Sequence, residues 1–206
     1  MDLREAQSVT AILISVVLSA GAVTNALTAD NSVFSTFTAH IARQVTLDKQ
    51  AFAQASTCLS WFYKASKTPP PPVVERISWT LSANPQPEND CPKQYPGGMD
   101  AARDDFAKTQ TLLSVSLTVY EFALVADLND DWSYSQAELQ DIFHALSLSY
   151  DQANPPQALG EALTARFDQW YSTRKLDDVM QGMSNLYERG YRVTVQDRAE
   201  LDRIMK

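Results

Sequence analysis

An oxygen-bearing side chain stands at positions one, three, five, seven, nine and twelve of the stretch DLNDDWSYSQAE, Asp127 to Glu138. Oxygen is the donor that hard divalent cations take. Calcium takes about six to eight oxygens in a flexible shell, which a loop of this length can wrap around one ion. The donor column is Asp127, Asn129, Asp131, Ser133, Ser135 and Glu138. Ser133 would offer its backbone carbonyl, Ser135 its hydroxyl directly or through water, and Glu138 both carboxylate oxygens.

Two amphipathic helices would have to hold such a loop. Upstream, LLSVSLTVYEFALVA carries Leu113, Leu117, Tyr120 and Leu124 at helical spacing; downstream, ELQDIFHAL carries Leu139, Ile142, Phe143 and Leu146. Helix, acidic loop and helix over residues 111–148 resemble the EF-hand family, and the resemblance implies a calcium ion (Ca2+) held by the six donors. One position departs from the family pattern. Position six is normally Gly, because the chain turns there with a positive φ, but this chain has Trp132. A bulky residue in that conformation costs about 1 to 2 kcal/mol, which is expected to weaken calcium binding without abolishing it. Tyr134 at position eight is expected to pack and to pair as a short strand, and Asp130 adds charge without being an expected ligand.

The same residues admit a metal-free reading. Ser135-Gln-Ala-Glu138 is a capping box, and an acidic turn before it complements the helix dipole. That reading accounts for Ser135 and Glu138 but leaves the alternation of Asp127, Asn129 and Asp131 without a role.

At 206 residues the chain is long enough for one domain with an unstapled core. A net charge of -8 argues against nucleic acid as a partner, since phosphate binding needs clustered Lys and Arg. A hydrophobic fraction of 45% is that of a folded protein. No charged residue lies between Glu5 and Asp30, so residues 1–29 read as a signal peptide or a membrane-anchor helix, the anchor spanning residues 8–29. Asp2 and Glu5 offset Arg4, which leaves a poor basic leader, and Thr10, Ser15, Ser19, Thr24 and Asn25 keep a buried helix open as the other reading. Cys58 and Cys91 either bridge or stay as buried thiols, since pairing cannot be read from sequence. With the apolar N-terminus they lean toward an oxidising compartment, periplasmic or extracellular.

Along the chain, Asp30, Asn31 and Ser32 offer caps to a helix carrying Phe34, Phe37, Ile41 and Val45. That helix runs on or bends near Thr46, and the pattern continues from Leu47 to Lys67 as a second helix or one long broken one, making residues 30–67 an N-terminal helical segment. Residues 68–98 form a Pro-rich loop, with Pro69 to Pro72, Pro85, Pro87, Pro92 and Pro96, a density that neither helix nor central strand tolerates. Within it, VVERISWTL reads as a short strand or helical turn. Residues 99–206 form the EF-hand-like helical region: a long helix from Met99 to Ala126, the acidic loop and its exit helix, a helix in PQALGEALTARFDQWY, and another from Lys175 to Arg189 ended by Gly190. The last stretch, GYRVTVQDRAELDRIMK, matches the second half of a degenerate partner hand, Val193 standing where Tyr134 does. Its first half lacks the Asp, Asn, Asp alternation of the first loop, so no ion is expected there. A plain helix–extended–helix junction is the alternative.

Other chemistries find little support. A di-iron bundle needs two Glu-x-x-His pairs, whereas only Asp141 and His144 come near and His40 has no acid three residues before it. No local nucleophile signature is present. Trp61, Phe62 and Tyr63, adjacent on a helix, point in several directions, so one should reach solvent or a partner. The expectation is therefore an all-α helical bundle containing one EF-hand-like helix-loop-helix and a long Pro-rich loop. It would be a non-enzymatic, calcium-binding protein, exported or membrane-anchored, with a protein or membrane partner reached through its N-terminal apolar segment. The rival is a metal-free helical interaction or assembly protein using the same segment.

Overall fold

The computed structural model describes the backbone of residues 3–71 and 90–206 and the side chains of residues 32–71 and 90–206. Seven helices occupy these residues: α1 (Leu3–Ala65), α2 (Cys91–Gln94), α3 (Gly98–Val125), α4 (Gln136–Ala145), α5 (Pro156–Thr173), α6 (Leu176–Glu188) and α7 (Val195–Met205). The fold is all-α. The expected leader or anchor of residues 1–29 and the VVERISWTL segment lie outside the described side chains. Among the described residues no helix is long and apolar enough to cross a membrane.

One expectation needs correcting. The helix does not start at the Asp30–Ser32 caps or break near Thr46, because α1 is continuous from Leu3 to Ala65. Thr38, Thr46 and Thr57 each donate a hydroxyl to the carbonyl four residues back, so polar residues sit in the helix without interrupting it. Phe34, Phe37, Ile41, Val45, Phe52, Ala55, Leu59 and Tyr63 recur every three to four residues or in longer helical steps, and all are buried. The helix stops where Lys67 turns left-handed (φ 57°) and the Thr68 amide reaches back to the Tyr63 carbonyl, just before Pro69.

α3 runs antiparallel to α1. At its start lies the disulfide between Cys58 and Cys91, with Cα atoms 5.2 Å apart; midway Phe52 stacks on Phe106; at its end the chain reaches the level of Phe34. α3 also packs on α5, α6 and α7, which is why it buries residues on more than one face, Phe106, Leu113 and Tyr120 together with Val115, Val119 and Phe122. Trp61 and Phe62 remain half-buried while Tyr63 enters the core, as three consecutive helical side chains must diverge.

Candidate metal-binding loop

α3 delivers the chain into the loop and α4 takes it out. The Asp127 amide still bonds to the Leu124 carbonyl, the last helical turn. α4 opens with the capping box: Ser135 Oγ accepts from the Glu138 amide at 3.3 Å, and Glu138 Oε2 accepts from the Ser135 amide at 2.7 Å. Tyr134 anchors the span between them. Fully buried, it donates its hydroxyl to the Ala123 carbonyl at 2.7 Å and sets its ring edge-on to Phe34. It does not pair as the expected strand; the described residues contain none.

Within this frame the loop is organised by its carboxylates. Asp127 is 4% exposed, and its two oxygens accept from the amides of Asp131 (3.2 Å) and Trp132 (2.7 Å). Asp131 accepts from the amide and hydroxyl of Ser133 on one oxygen and from Asn129 Nδ2 on the other. Glu138, also buried, accepts on Oε1 from the Leu128 amide at 2.8 Å, tying position twelve back to position two. Two residues turn left-handed to make this possible, Asp130 at φ 56° and Trp132 at φ 62°. Trp132 thus adopts the conformation usually left to Gly at position six, and its indole, half in solvent, lies edge-on to Phe34 at 5.8 Å.

Burial pushes the Asp127 carboxyl up to about 6; the amides of Trp132 and Asp131 pull it down in part, while the charges of Asp131 and Glu138 push the same way as burial. The Tyr134 hydroxyl is raised well above its ordinary value, first by burial and then by Asp127 and Glu138. The loop is acidic, and its first acid is partly desolvated.

All six predicted donors lie in one loop, yet they do not point at one centre. Asp127 and Glu138 are buried, Ser133 is half-buried, and Asn129, Asp131 and Ser135 are exposed. Among the described residues, no three His, Cys, Asp or Glu side chains stand close enough to hold a metal ion as they lie. The donor chemistry still suits a hard cation. Each carboxylate oxygen of Asp127 and Glu138 takes one amide, which leaves a lone pair on each. The bond between Asn129 and Asp131 would have to open.

Asp130 has a role that its loop position does not suggest. Its Oδ1 accepts from the Thr194 hydroxyl at 3.2 Å and its carbonyl from Gln196 Nε2 at 3.2 Å. Thr194 in turn caps α7 through a reciprocal capping box with buried Asp197. The segment starting at Thr194 adjoins the loop through Asp130. In the sequence, Thr194 followed three residues later by Asp197 marks a helix start without saying what it faces. Elsewhere, His40 pairs with Asp168 at 2.9 Å, and Asp141 is bonded by Arg189 and by the Tyr191 hydroxyl. His144 is exposed and lines an open cleft of about 570 Å³ with Ser147, Asn185 and Arg189. There Arg189 is paired with Asp141, and Asn185 donates to the Ala145 carbonyl. No family model, no curated protein and no solved structure matches the chain.

Proposed function

We propose that this chain is a non-enzymatic calcium-binding protein, exported or membrane-anchored. In it an ion taken by Asp127, Asn129, Asp131, Ser133, Ser135 and Glu138 orders the junction between α3 and α4. Asp127 carries the reading. Its carboxylate is buried, and the two charges acting on it, those of Asp131 and Glu138, have its own sign. A divalent cation among these acids would offset both burial and repulsion. The left-handed turn at Trp132 adds support, since the strain expected to oppose a wrapped loop is already accommodated by the fold. The disulfide and the uncharged N-terminal stretch favour a compartment outside the cytoplasm, where near-millimolar calcium would keep a weak site filled.

Titration of calcium against tryptophan emission, with Trp132→Phe as the control that isolates the loop indole, tests this. A saturable change together with a raised melting temperature is expected. Unaltered emission and melting at millimolar calcium would return the chain to the rival reading, a metal-free helical interaction or assembly protein. One observation favours that rival: both Glu138 oxygens already accept amides, and Asn129 closes on Asp131, so the loop satisfies much of its own hydrogen bonding.

A further inference from the structure

Three of the large apolar side chains left in water gather around one residue. Leu128 (53% exposed) and Trp132 (43%) flank Asp130 in the chain, and Val195 (86%) lies between Thr194 and Gln196, both of which hydrogen-bond to Asp130. A single exposed Leu needs no explanation, but three exposed apolar side chains placed around one residue do.

The patch sits at a defined end of the bundle. Trp132 touches Phe34, and the helix that carries Phe34 extends N-terminally through residues 6–29, which include no charged residue. From Ala29 to Phe34 is about 8 Å of helix, so the indole lies about that far, along the axis, from the end of a stretch whose composition suits hydrocarbon. Headgroup depth is where an indole, apolar with one polar edge, is most favourably placed.

Charge supplies the second argument. The loop holds Asp127, Asp130, Asp131 and Glu138 and no Lys or Arg, so an anionic lipid surface would repel it. A divalent cation in the loop turns that repulsion into a bridge to lipid phosphate.

We infer that Leu128, Trp132 and Val195 form a contact surface for the headgroup layer of an anionic phospholipid bilayer, engaged when calcium neutralises the Asp127–Glu138 loop. The inference rests on the calcium reading above.

The test uses the full chain with vesicles of phosphatidylcholine and phosphatidylserine containing brominated acyl chains. Quenching in the wild type minus quenching in Trp132→Phe isolates one indole among four tryptophans, whether or not the N-terminal segment also inserts. Calcium is expected to increase that difference and a chelator to reverse it. Leu128→Glu and Val195→Glu, which alter exposed side chains, are expected to stay helical by circular dichroism and to lower calcium-dependent vesicle binding by about tenfold each. If calcium alters Trp132 emission in lipid-free solution but brominated lipid does not quench it, the membrane contact is wrong and the calcium site stands. If calcium alters nothing in either setting, both fail. A calcium-dependent dimer that shields Trp132 without lipid would name a second copy as the occupant and overturn the proposal.

Discussion

Trp132 donates its backbone amide to Oδ2 of Asp127 at 2.7 Å, and it does so with a φ of 62°. The strained residue and the buried acid are therefore one device, the strain aiming an amide at a carboxylate that burial would otherwise leave short of partners. Replacing Trp132 by Gly removes about 1 to 2 kcal/mol of left-handed strain, but loses the edge contact to Phe34, about 0.5 to 1.5 kcal/mol, and adds chain entropy to the unfolded state. The net change should be within about 1 kcal/mol. Trp132→Ala loses the ring and keeps the strain, so urea denaturation should find Ala less stable than Gly here by about 1 kcal/mol.

Asp127 gives the fold a pH dependence of known sign. Its folded value of about 6 lies above the ordinary 3.8, so the folded state holds the proton more tightly than the unfolded chain does. That stabilisation is complete below about pH 4 and is lost as pH rises through about 6, a loss on the order of 1 to 3 kcal/mol. Asp197 and Glu121, both raised chiefly by burial, act with the same sign. Denaturation in chelator should show the wild type losing stability across this window relative to Asp127→Asn, whose profile should be flatter. Calcium should restore the wild type at neutral pH and leave Asp127→Asn unchanged.

How far these features could be read in advance depended on range. The helices on either side of the loop were legible because Leu113, Leu117 and Tyr120, and then Leu139, Ile142 and Phe143, repeat locally, and because Ser135 and Glu138 cap within one turn. The six donors were legible as a spacing, but not the return of Glu138 to the Leu128 amide, which depends on how the loop closes. Whether α1 runs on or bends near Thr46 was not legible locally; it runs on, and the Thr46 hydroxyl bonds the Ala42 carbonyl within the unbroken helix. The pairing of Cys58 with Cys91 and the hold of Thr194 on Asp130 join residues far apart in sequence, and no local pattern encodes either.

The Cys58–Cys91 bridge closes a loop over a sequence separation of 33 residues and fastens α2 against α1. In the chain-entropy picture it should contribute about 3 to 4 kcal/mol. Reduction, or Cys58→Ser with Cys91→Ser, should lower the melting temperature by about 10 °C for a chain of this size. The calcium response should survive, because the disulfide lies at the opposite end of α3 from the loop. Mass spectrometry of the native protein before and after reduction checks the linkage itself.

Ser135 and Glu138 separate capping from ion binding, because the two readings of the loop assign them different duties. Ser135 serves α4 through its hydroxyl, so Ser135→Ala should cost about 1 kcal/mol of stability and weaken calcium binding only slightly. Glu138→Gln retains one carbonyl acceptor for either the Leu128 or the Ser135 amide, but places an NH2 group against the other. It should therefore cost about 1 to 3 kcal/mol and also abolish the calcium response, since the charge that closes the shell is gone. If Glu138→Gln and Ser135→Ala instead lose stability in equal measure and neither alters the response of the loop indole to calcium, Glu138 is a cap alone, and the acids of this loop serve α4 rather than an ion.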